Sequence, residues 1–143
     1  MADTVVNLSG PVRLNLNEVL DRPVAEGWYP VKIVTAEAKE SKKGLPQINV
    51  MGRITDEDSP DFNKGLFWYL TFDTDPQSFS IKMLKRFVTA VPAIDPDLNY
   101  ESYQAFGDAL VELELMVHVK HSEYQGETSV NVNKFAEMEY ADL

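Results

Sequence analysis

The sequence predicts a mainly β domain of five strands, with one amphipathic helix between strands 3 and 4. Three observations carry that reading. Five segments alternate apolar and polar residues with the period of two that strands require. A single stretch, 76–91, instead repeats its apolar residues at helical spacing. The chain has 143 residues, 44% of them hydrophobic, which suits one domain of ~100–200 residues with a real core.

The first strand is predicted from Trp28, where Tyr29, Val31, Ile33 and Thr35 alternate with Pro30, Lys32, Val34 and Ala36. Residues 39–46 hold three lysines, a glycine and a proline, and predict a long hairpin loop. The second strand is predicted over 47–55, with Ile48, Val50 and Ile54 on one face and Asn49, Met51 and Arg53 on the other. A turn rich in Asp, Ser and Pro follows over 56–63. Residues 64–72 are almost all aromatic, aliphatic or β-branched and form the clearest strand in the chain. Asp75-Pro76 predicts a helix start, with the carboxylate as cap and proline in the first turn. At ~100° per residue, Phe79, Ile81, Met83, Leu84, Phe87, Val88 and Val91 share an arc of about 200°, and Lys82, Lys85 and Arg86 fill the rest. A shorter helical stretch is predicted around 100–106, stopped by Gly107. A long fourth strand follows over 110–120. The turn 123–126 leads to a last strand over 127–135.

Three strands, a helix and a closing hairpin are the element order of an OB-fold-like, five-stranded Greek-key barrel. A half-open α+β sheet has the same order and stays an alternative. The domain is predicted to span 28–135, preceded by an N-terminal arm (1–27) with a short helix near 16–20. It is followed by an acidic C-terminal tail (136–143).

Charge narrows the function classes. The net charge is −10, from 23 acids and 13 bases, and such a chain repels polyanions on average. The distribution is uneven, however. Residues 28–54 hold five bases and two acids, and 76–91 hold three bases and no acid, whereas 92–114 hold six acids and no base. A basic face on an acidic remainder is expected. Cysteine is absent, which excludes disulfides, thiolate metal sites and cysteine nucleophiles. No apolar run approaches the ~18 residues of a membrane helix, and the first residues lack a signal-peptide profile. A cytoplasmic protein, within a host cell, is expected.

No catalytic constellation emerges. Gly44, Gly52 and Gly65 are scattered and open no phosphate-binding helix. His118 and His121 are three apart on a strand, so they face opposite sides. Asp56, Glu57, Asp58 and Asp61 match no EF-hand spacing and read as a solvated turn. Neither catalytic residues, a metal nor a cofactor are expected, so the reading is a binding protein and not an enzyme.

Binding chemistry is better supplied. Single-stranded nucleic acid is held by cations that track its backbone and aromatic faces that stack its bases. On the third strand Leu66, Trp68 and Leu70 share one face and Phe67 and Tyr69 the other. The first set is the better core candidate, leaving Phe67 and Tyr69 for a groove or for packing under the N-terminal arm. A strand bulge would exchange the faces and bring Trp68 out instead. Lys32, Lys39, Lys42, Lys43, Arg53 and Lys64 lie on elements that border the ligand face of an OB-fold, although hairpin-tip lysines are often only solubilising charges. Lys82, Lys85 and Arg86 read as the wet face of the helix. Tyr124 either stacks a base or decorates a turn.

The runs Glu26-Gly27-Trp28-Tyr29-Pro30-Val31-Lys32-Ile33 and Lys39-Glu40-Ser41-Lys42-Lys43-Gly44 resemble the opening of small phage proteins of the single-stranded-DNA-binding type. So do Asn63-Lys64-Gly65-Leu66-Phe67-Trp68, Phe106-Gly107-Asp108-Ala109-Leu110-Val111 and Tyr124-Gln125-Gly126-Glu127, and together these cover about 26–135. The resemblance implies an OB-fold, single-stranded DNA as partner and a place in phage DNA replication or recombination. It also implies an acidic tail that recruits replication or recombination proteins. Residues 137–143 are acidic but lack the Pro-Phe ending of the bacterial proteins. A homo-oligomer stays open.

Two other classes stay open. One is a protein-interaction module or DNA mimic that uses its acidic surface; the other is a metal-dependent nuclease using the acids of 56–61.

Overall fold

The computed structural model describes residues 9–10 and 23–138. The helix expected near 16–20 and the tail beyond Met138 lie outside the described residues. Five antiparallel strands form one sheet: β1 (Gly27–Glu40), β2 (Pro46–Ile54), β3 (Gly65–Thr71), β4 (Glu114–Tyr124) and β5 (Glu127–Ala136). Two helices, α1 (Phe79–Ala90) and α2 (Tyr103–Leu110), lie between β3 and β4. The spatial order is β3-β2-β1-β4-β5.

The long β1 makes this order work. Its first part pairs with β4, from Gly27–Val119 to Lys32–Glu114, and its later part pairs with β2, from Val31–Ile54 to Glu40–Pro46. A bulge at Val34, between Ile33 and Thr35, marks the changeover. A bulge bends and twists its strand, so β1 serves two neighbours that diverge. The edge strands β3 and β5 thereby approach one another, and α1 packs against both of them.

The core lies on the inner face. Val31 and Ile33, Ile48 and Val50, Leu66 and Leu70, and Leu115 and Val117 are buried at alternate strand positions. Phe87 of α1 closes the gap between the edges. Its ring centroid lies 6.2 Å from that of Trp68 on β3 and 5.2 Å from that of Phe135 on β5.

The structure corrects several local expectations. α1 begins at Phe79, three residues after Pro76, because Ser78 supplies the cap: its hydroxyl accepts the Ile81 N–H at 3.2 Å. Asp75 organises the turn before it, accepting the Gln77 N–H at 2.9 Å. The first hairpin loop is short, 41–45, since β1 runs on to Glu40 and β2 starts at Pro46. The Ser41 hydroxyl closes the loop by accepting the N–H groups of Lys43 and Leu45. The last hairpin turns on Gln125 and Gly126, both at positive φ (51° and 81°), the geometry of a two-residue type I′ turn. Residues 24–26 belong to the fold and not to an arm. Val24 is buried, and Glu26 accepts the His121 N–H at 2.8 Å.

Gly107 does not stop a helix; it sits inside α2, where Ser102 caps the start. A Cβ at Gly107 would lie 2.7 Å from the Ala36 carbonyl oxygen of β1. The glycine therefore lets α2 lie directly on the strand. Gly107→Ala is expected to destabilise the protein by about 1–3 kcal/mol through overpacking, read as a lower urea midpoint.

Candidate nucleic-acid interface

The outer face of β1, β2 and β3 is ordered by its register. Three cross-strand rows run over it: Lys39–Gln47–Thr71, Glu37–Asn49–Tyr69 and Thr35–Met51–Phe67. Lys32 and Arg53 are a fourth pair, beyond the bulge. Phe67 and Tyr69 stand out from this face at 60% and 53% exposure, an unusual placement for two aromatic rings on neighbouring positions of one strand face. The alternation of β3 explains it: Leu66, Trp68 and Leu70 take the core positions, so 67 and 69 must face outward.

Tyr69 joins two depressions. One, of about 560 Å³, has Lys42, Lys43 and Gln47 on one side and Thr71 and Asp73 on the other. The second, of about 250 Å³, lies at the seam between β3 and β5, where Phe67, Tyr69 and Phe79 meet Asn131 and Asn133. Tyr69 and Ser80 border both. The result is a continuous path from two exposed lysines, past two exposed rings, to a third. Asp73 is the one acid beside the lysines in the first depression. The backbone N–H of Asp75, 3.3 Å from its Oδ1, holds its carboxyl below the ordinary range, and Lys43 adds to the effect.

The sequence-predicted residues divide sharply. Lys42, Lys43, Phe67 and Tyr69 meet in this path. Trp68 does not; it is 1% exposed and its ring packs 5.7 Å from that of Phe135. Lys64 is engaged elsewhere: its ammonium lies 2.8 Å from the buried Asp61 carboxylate, which also lies 3.5 Å from the Ala25 N–H. That pairing withdraws Lys64 from the face and Asp61 from any metal. Lys39 is a strand residue beside Glu37, 3.6 Å away and exposed. Arg53 is exposed, and its Nη1 donates to the Asn63 carbonyl at 3.0 Å. Lys32 and Arg53 lie at the far end of the face from the hairpin loop. Tyr124, 76% exposed, stands at the tip of the β4–β5 hairpin, away from both depressions.

His121 turns inward and approaches the Val24 carbonyl at 2.6 Å, while His118 meets Trp28 edge-on with ring centroids 5.2 Å apart. Phe79, Ser80, Asn131 and Asn133 were not singled out from sequence. Phe79 was assigned to the buried arc, yet at the first position of α1 it is 58% exposed. The Asn131–Asn133 spacing, two polar residues on one face of the last strand, was the only available signal.

A family model matches residues 14–142. The chain belongs to the DUF669 family. The description of DUF669 is a protein of unknown function, so membership defines a group without assigning an activity. No curated protein matches the chain. Among the described residues of this DUF669 member, no helix is long and apolar enough to cross a membrane.

Proposed function

We propose that the chain binds single-stranded DNA without catalysing a reaction, as an OB-type barrel of the kind that phages use in DNA replication and recombination. The observation that carries this reading is the pair of exposed rings, Phe67 and Tyr69, in line with Lys42 and Lys43. Rings of that exposure stack unpaired bases, and a duplex hides its base faces within the stack. The strand order supports the barrel: β1 is flanked by β2 and β4, and the two edges approach each other around α1. The net charge of −10 makes the local cations decisive, because the rest of the surface repels phosphate.

Fluorescence-anisotropy titration of labelled oligo-dT, with duplex as competitor, tests the proposal. Salt-weakened binding that prefers the single strand supports it. Absence of binding at low salt refutes it and favours the acidic protein-interaction module. Lys42→Ala and Lys43→Ala are each expected to flatten the log–log salt dependence by about 0.7. Lys64→Ala is expected to leave that slope unchanged, since its ammonium is held by Asp61.

A further inference from the structure

A second basic surface lies away from the β1–β3 face. Lys82, Lys85 and Arg86 of α1 form no salt bridge with any described residue. They border a cleft of about 510 Å³ whose floor includes Ala90 and Phe135. Three unpaired cations around an apolar floor are a receptor for a short acidic segment that also carries apolar side chains.

The chain itself leads to this cleft. Glu137 borders it, and Met138 lies just beyond the end of α1, in a neighbouring depression with Val91 and Pro92. Residues 139–143 follow, and read Glu-Tyr-Ala-Asp-Leu. Charge decides between the two sides open to them. The depression at Met138 is walled by Glu112 and Glu114, which repel Glu139 and Asp142; the α1 side attracts them. Length permits it too. From Lys82 to Ala90 the helix rises about 12 Å, and five extended residues reach ~17 Å.

We propose that residues 139–143 seat along α1 of their own chain, with Glu139 and Asp142 paired to Lys82, Lys85 and Arg86. Tyr140 and Leu143 then lie toward the apolar floor. This surface is separate from the β1–β3 face, so the proposal stands or falls independently of DNA binding.

The test uses the whole chain. Because the sequence contains no cysteine, Ala141→Cys gives a single site for a nitroxide spin label. Amide resonances of residues 82–90 and 135–137 are expected to broaden at low salt. They are expected to recover in 1 M NaCl, where the Debye length falls to about 3 Å. The exposed-face variant Lys82→Glu/Lys85→Glu/Arg86→Glu is expected to lose the broadening while its remaining spectrum stays unchanged. Broadening centred on the Lys42–Lys43 loop or on Glu112–Glu114, or no localised broadening, overturns the proposal. So does equally strong broadening in an isotope-labelled chain mixed with a separate spin-labelled chain, which would make a second copy the source.

Discussion

Replacing Phe67 and Tyr69 together by alanine is expected to weaken oligo-dT binding by at least about 30-fold. Stacking on one ring is worth ~1–3 kcal/mol per base, so two rings contribute at least about 2 kcal/mol. Both side chains point outward from β3 and are more than half exposed. The cost to the fold is therefore confined to strand propensity, about 1 kcal/mol per position or less. Paired titrations and urea melts of the double variant separate these effects. A variant that keeps its affinity would remove the rings from the binding surface. The two single variants locate the bases: Tyr69 lies beside Lys42 and Lys43, whereas Phe67 lies at the seam with Asn131 and Asn133.

Trp68→Ala is expected to produce the largest loss of stability, about 3–5 kcal/mol. The indole fills the space above Gly52, where a Cβ would stand 3.1 Å from its outermost ring carbon. It also packs with Phe87 and Phe135, joining β3, α1 and β5 across the seam. Deleting it opens a cavity that three rigid neighbours cannot close. Trp68→Phe is expected to cost less than half as much. The indole Nε1–H is buried without an acceptor among the described residues, so phenylalanine forfeits packing volume and no hydrogen bond. Urea denaturation of both variants checks the order. Equal losses would show that the seam depends on the indole specifically.

These two predictions concern adjacent residues of one strand, and they show how far the sequence could be read. The alternation 66–70 was enough to divide core from surface on β3, because side chains in a strand alternate whatever surrounds them. The same rule placed Ile48, Val50 and Ile54 inside and Arg53 outside. Helical spacing found α1 and its buried Met83, Leu84 and Phe87. Boundaries were read less well, since Ser78 outcompetes Asp75 as cap and Gly107 looks like a stop until β1 is seen beneath it.

Local pattern therefore determined five strands, a cationic amphipathic helix, the inner and outer face of each strand, and the outward position of Phe67 and Tyr69. Tertiary structure decided which charges are available and which exposed rings meet. Lys64 looks the same in sequence as Lys43, yet only Lys64 has Asp61 folded against it at 2.8 Å. Phe79 and Tyr69 are ten residues apart, yet both border one depression because α1 packs at the β3 edge. The reason is one of range. Alternation and helical phase follow from backbone geometry within a few residues, whereas ion pairing and groove formation depend on segments that chain closure brings together.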